Sequence, residues 1–76
     1  MKAMPRMNDV LSNGARVIDS RKLSDNPKDE YLAVVLCGFQ EQYVTWEYNR
    51  TDGACFWGHY FQDDLEKAQS DFITRD

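Results

Sequence analysis

The residues whose types could do chemistry are few: a single histidine, His59, two cysteines, Cys37 and Cys55, and two adjacent carboxylate pairs. His59 sits in the run Phe56-Trp57-Gly58-His59-Tyr60-Phe61. A histidine acting as general base needs a nucleophile and an orienting partner within hydrogen-bond reach. Cys37, Cys55 and several hydroxyls could attack, but no nucleophile elbow and no Cys/His signature accompanies them. Strict strand alternation puts His59 on one side with Cys55, Trp57 and Phe61, which describes a partly buried histidine bonded to a backbone or carboxylate group. Cys37, Cys55 and His59 would supply at most three soft metal ligands, without the C-x-x-C or H-x-x-x-H spacing of a zinc site. Asp63-Asp64 and Asp29-Glu30 suit helix capping and solvation better than acid/base work. The four glycines, Gly14, Gly38, Gly53 and Gly58, form no phosphate loop. We therefore expect no catalytic residues, no metal and no cofactor, and a chain that is not an enzyme.

The aromatic residues carry more information. Eight of the ten fall between Phe39 and Phe61. Successive strand residues alternate faces, so they cannot all point into one core. One short helix covers one face of a small sheet, which leaves aromatic surface over for the other face. An aromatic patch rimmed by charge marks an interaction site, and the candidate binding residues are Tyr43, Trp46, Trp57, His59 and Tyr60. The competing expectation is that an N-terminal hairpin folds over that face. Gly58, inside the aromatic run, predicts a bulge or the close approach of another side chain, with Trp46 the candidate.

The elements that position these residues follow from local patterns. Asn13-Gly14 between apolar dipeptides predicts a type I′ hairpin joining strands at 9–12 and 15–23. Ile18 falls out of alternation there and calls for a bulge or a half-covered edge. Residues 24–30 form a loop rich in turn formers. Tyr31 to Cys37 reads as a strand buried on both faces. After a turn at 38–42, residues 43–48 alternate as a half-buried strand. Asn49 to Gly53 makes a hairpin turn closed by a left-handed glycine, and Ala54 to Phe61 is the last strand. A helix starts at Asp63 or Asp64, with Asp63-x-x-Glu66 as a variant capping box. Leu65, Ala68, Phe72 and Ile73 share its apolar stripe, and Asp64, Lys67, Asp71 and Arg75 lie outside it. Phe61 is placed to staple this helix to the sheet.

The expected fold class is α+β: an antiparallel sheet, built as an N-terminal hairpin plus a three-strand meander, with one C-terminal helix packed on one face. Seventy-six residues make one domain. Residues 1–8 are expected to be a disordered extension and 9–76 the folded unit. Cys37 and Cys55 fall on non-adjacent strands, on the order of 10 Å apart, too far for a disulfide.

Charge narrows the partners. The formal net charge is −4. Residues 1–28 carry six bases and three acids, and residues 29–76 carry three bases and ten acids. An acidic body argues against binding a phosphate backbone. No apolar run reaches membrane-spanning length, so no membrane association and a cytoplasmic location are expected.

The pattern Tyr43-Val-Thr-Trp46, followed by Cys55-Phe-Trp-Gly-His-Tyr-Phe61 and an acidic helix, resembles short uncharacterised proteins of gut Firmicutes and their mobile elements. The resemblance covers roughly residues 10–74 and leaves Met1–Arg6 outside it. It implies no activity, but a mobile-element setting implies accessory or anti-defence roles, in which small acidic proteins bind host enzymes. The function expected is thus a non-enzymatic protein-interaction module, acting on a protein partner or as a homodimer. The alternative is a single-stranded nucleic-acid-binding module that stacks bases on the sheet, with Arg16, Arg21, Lys22 and Arg50 on phosphates.

Overall fold

The computed structural model describes residues 2–75; Met1 of the expected N-terminal extension and Asp76 of the expected domain lie outside them. Four antiparallel strands, β1 (Arg16–Lys22), β2 (Leu32–Phe39), β3 (Gln42–Asn49) and β4 (Cys55–Tyr60), form one sheet in the order β1-β2-β3-β4. A single 3₁₀ turn, Pro27–Asp29, interrupts the loop after β1, and the helix α1 (Leu65–Thr74) follows β4. The α+β class, the meander and the C-terminal helix agree with the sequence. The N-terminal hairpin forms, but short and with a different turn: Leu11 N donates to Ala15 O and Val17 N to Asp9 O, both at 2.8 Å, around a single bridge, Val10 to Arg16, and residues 9–12 make no strand of their own.

The reason lies in the turn. Leu11 O accepts from Gly14 N at 2.9 Å, and of the Asn-Gly pair only Gly14 has positive φ (89°). Asn13 instead uses its side-chain oxygen to accept from Ala15 N. That is a type I turn followed by a left-handed glycine, the commonest three-residue connection. A type I′ pair of left-handed residues occurs elsewhere, at Gln40 (φ 51°) and Glu41 (φ 63°), where β2 and β3 pair right up to Phe39 and Gln42.

β2 and β3 are central, and each face of the sheet is covered differently. On one face Val34 and Leu36 pack with Ala68 and Phe72 of α1, flanked by Ile18, Leu23, Tyr43, Phe61 and Leu65. On the other, Val17, Ala33, Val35, Cys37, Val44, Trp46 and Tyr48 pack with Leu11 and Ala15, and Met4 lies against them. Residues 2–15 thus close over the second face. Pro5 is buried, its carbonyl accepts from the Ser20 hydroxyl, and Arg50 Nε donates to Lys2 O at 3.2 Å. The segment expected to be loose is held because burying apolar side chains such as Met4 and Leu11 offsets the entropy of ordering it.

Two bulges set which side chain points where. In β1 the register shifts between Val17 and Asp19, which turns Ile18 toward α1, as its break in alternation requires. In β4 the shift falls between Phe56 and His59, so that Trp57 and Gly58 together oppose Trp46.

The helix begins at Asp64, whose side chain accepts from Lys67 N at 3.0 Å; Asp64, not Asp63, is the cap. Its buried stripe differs from the expected one at the C-terminal end. Ala68 and Phe72 are buried, Ile73 is 70% exposed, and Arg75 is only 9% exposed. Continuing from Phe72 by three residues lands on Arg75, so the stripe is Leu65, Ala68, Phe72, Arg75. Arg21 of β1 caps the far end of the helix: Nε donates to Phe72 O at 2.8 Å, and Nη2 donates to Arg75 O. A cation there also complements the negative end of the helix dipole.

Candidate functional site

The β4 bulge decides where the aromatic and chemical side chains go. Trp57 adopts a left-handed backbone, φ 53°. For a bulky residue this is a strained conformation, and such strain persists only where surrounding contacts hold it. The contacts are visible: Arg75 Nη2 donates to Trp57 O. The same guanidinium donates from Nη1 to Thr45 O at 3.0 Å and to Thr45 Oγ1 at 3.1 Å. It also lies 3.6 Å from Glu47 Oε2.

This makes Arg75 the hub of a buried polar cluster under the bulge. Glu47 is 4% exposed, so the ion pair is enclosed and the removal of either partner would strand a charge. Thr45 Oγ1 donates onward to Asp71 Oδ2 at 2.6 Å, and His59 Nδ1 lies 3.0 Å from the same oxygen. Partial burial pulls the Asp71 carboxyl upward. The hydrogen bonds from Thr45 and His59, with the charges of His59 and Arg75, outweigh that and hold it below its ordinary value. Glu47, Trp57, His59, Asp71, Thr74 and Arg75 surround an open depression of about 420 Å³ beside β4.

The bulge also corrects the alternation. Cys55 pairs with Tyr48 and packs on the face covered by residues 2–15, whereas His59 pairs with Thr45 on the helix face. The two therefore lie on opposite faces and form no thiol–imidazole pair. Burial pushes the Cys37 thiol up to about 12, with the neighbouring Cys55 adding to it, and pushes Cys55 up to about 11. Both are free, and neither is activated as a nucleophile. Among the described residues no three His, Cys, Asp or Glu side chains converge on a metal position.

The candidate binding residues separate accordingly. Trp46 is 5% exposed, ringed edge-on by Phe39 at 5.3 Å and Tyr60 at 6.2 Å, and belongs to the core. Tyr43 is half-buried against the helix-side cluster. His59 is exposed but tied to Asp71. Trp57 is 70% exposed and Tyr60 55% exposed, on opposite sides of β4, with Phe56 edge-on to Trp57 at 5.5 Å. The exposed aromatic face expected from the sequence is therefore an exposed aromatic edge. The close approach expected at Gly58 is present: a Cβ there would stand 2.6 Å from Trp46 Nε1.

Sequence reasoning missed Arg75, Thr45 and Glu47. The signal for Arg75 was its place at three residues beyond Phe72 on the stripe. Thr45 and Glu47 alternate with Val44, Trp46 and Tyr48 and look like a solvated face until a helix is laid over them. No helix among the described residues is long and apolar enough to cross a membrane. Comparison with protein-family models, curated proteins and solved structures returns no match for this chain.

Proposed function

We propose that this chain is a small non-enzymatic protein-interaction module whose contact surface is the β4 edge, centred on Trp57. One observation carries this: a tryptophan 70% exposed in a left-handed backbone whose carbonyl is clamped by a buried arginine. Two costs are combined there. A bulky left-handed residue costs about 1–2 kcal/mol, and an exposed indole forgoes burial. Glycine would serve the bulge with neither cost. Tryptophan is enriched among the residues that carry binding energy, and a pre-positioned side chain loses little entropy on association.

The basic residues favour a protein partner over single-stranded nucleic acid. Arg21 donates to four backbone carbonyls, and Arg50 donates to Lys2 O and Glu30 O. Arg16 and Lys22 are exposed, but on β1, the edge opposite the aromatic one. We place the module in the cytoplasm, where free thiols persist, and in an accessory role of a mobile element, with self-association as the competing outcome.

The test is a benzophenone photo-cross-linker at position 57, compared with one at exposed Lys28, with adducts identified by mass spectrometry. An adduct specific to position 57, and lost when unlabelled wild-type but not Trp57→Ser protein competes, is the expected result. Equal labelling from both positions, or no adduct at either, would refute the proposal.

A further inference from the structure

The two edges of the sheet differ in charge and covering, although each carries a bulge. β1 carries Arg16, Asp19, Arg21 and Lys22, has a bulge, and is bonded along its first part by residues 8–10. Those are the devices by which edge strands avoid pairing with other chains. β4 reads Cys-Phe-Trp-Gly-His-Tyr, with no Lys, Arg, Asp, Glu or Pro, and β3 is its one neighbour in the sheet. Its bulge breaks the ladder only at Trp57 and Gly58. The strand is thus uncharged and aromatic, with Asp52 before it and Asp63 after it in the chain.

We infer that the β4 edge accepts an added strand from a protein partner, an extended segment with an apolar, alternating centre and basic residues at both ends. This rests on the interaction reading above and names its mode and partner class. Strand addition takes affinity from main-chain hydrogen bonds and specificity from alternate side chains. The side-chain support is present beside β4, and the main-chain bonds would form on either side of Trp57, whose carbonyl is already taken by Arg75. Trp57 and the depression with Glu47 and Asp71 flank it on the helix side, and Tyr60 leaning on Trp46 flanks it on the other. Charge selects the occupant. Antiparallel pairing of two copies about the middle of β4 would set Asp52 of each beside Asp63 of the other, a like-charge contact at both ends. Lysine or arginine at those places turns both contacts favourable.

The experiment uses fluorescein-labelled peptides of alternating valine and threonine: one ending in lysines, one in glutamates, and one lysine-ended but N-methylated on alternate residues. Anisotropy titration at low salt is paired with hydrogen exchange read by NMR. The lysine-ended peptide is expected to bind about tenfold more tightly than the glutamate-ended one, and to protect amides within Cys55–Tyr60. The N-methylated peptide, lacking donors on one edge, is expected to bind far more weakly. Equal binding by all three, protection on β1 instead, or dimerisation through β4 would overturn the inference. An adduct at position 57 with no peptide protection of β4 would sink strand addition and leave the interaction reading intact. Peptide binding to β4 unchanged by Trp57→Ser would leave strand addition standing and refute Trp57 as the centre of the contact surface.

Discussion

Gly58→Ala probes the architecture that aims Trp57, and its cost can be worked from distances. The new Cβ would lie 2.6 Å from Trp46 Nε1, 2.9 Å from Trp46 Cδ1 and 3.0 Å from Tyr60 Cε1. Ordinary contact is about 3.5–4 Å, so the indole must retreat by roughly 1 Å. It has little room, being 5% exposed with Phe39 and Tyr60 edge-on to it. Overpacking of this kind costs about 1–3 kcal/mol. Alanine in a strand would by itself gain about 0.5–1 kcal/mol over glycine. The net expectation is a loss of about 1–2 kcal/mol, which in a domain this size lowers Tm by roughly 5–15 °C. Thermal and urea unfolding followed by far-UV circular dichroism measures it. The decisive arm is the same substitution in a Trp46→Leu background, where the clash with the indole is gone, Tyr60 can shift into the space it leaves, and Gly58→Ala becomes neutral or mildly stabilising. The coupling energy of that cycle is expected to be about 1.5–3 kcal/mol. If Gly58→Ala costs the same in both backgrounds, the indole is not what requires glycine and the packing argument is wrong.

Three further expectations follow from single features. Replacing Gln40-Glu41 by Asn-Gly relieves two left-handed residues and should raise stability by about 1–2 kcal/mol in urea unfolding, with unchanged m-value. Arg75→Ala strands Glu47 beneath the helix and should cost about 3–5 kcal/mol, whereas the paired change Arg75→Met with Glu47→Leu should recover much of that loss. Asp71 has a folded-state value below its ordinary 3.8, so its contribution is complete above that pH and is lost as pH falls through the lower folded value. The stability advantage of wild type over Asp71→Asn should therefore shrink in unfolding curves taken below about pH 3.8.

Patterns that depend on near neighbours were legible in the sequence. The apolar run read at Tyr31–Cys37 is found as the strand Leu32–Phe39, with Tyr31 itself exposed, and the strand at 43–48, the left-handed Gly53 and the acidic cap before Leu65 are found as well, because all of them state local conformations. So is the demand for space at Gly58, because a glycine within an aromatic run marks a point where a neighbouring ring leaves no room for a Cβ.

What the tertiary structure alone decided is where those strands point and what lies over them. A bulge adds one residue to one strand and so reverses the facing of everything beyond it. That is why Cys55 and His59, four residues apart and in phase by simple alternation, end on opposite faces. Residues 2–15 have no period to read, yet they cover the face of Trp46 and Tyr48, since covering it is a matter of apolar area and not of local propensity. Arg75 and Glu47 look solvated until α1 crosses β3, and only then does the buried guanidinium reach the Trp57 carbonyl. The sequence by itself determined an antiparallel sheet, a helix and an excess of aromatic residues. The packing determined that the excess stands on one edge of that sheet, because both faces were already taken.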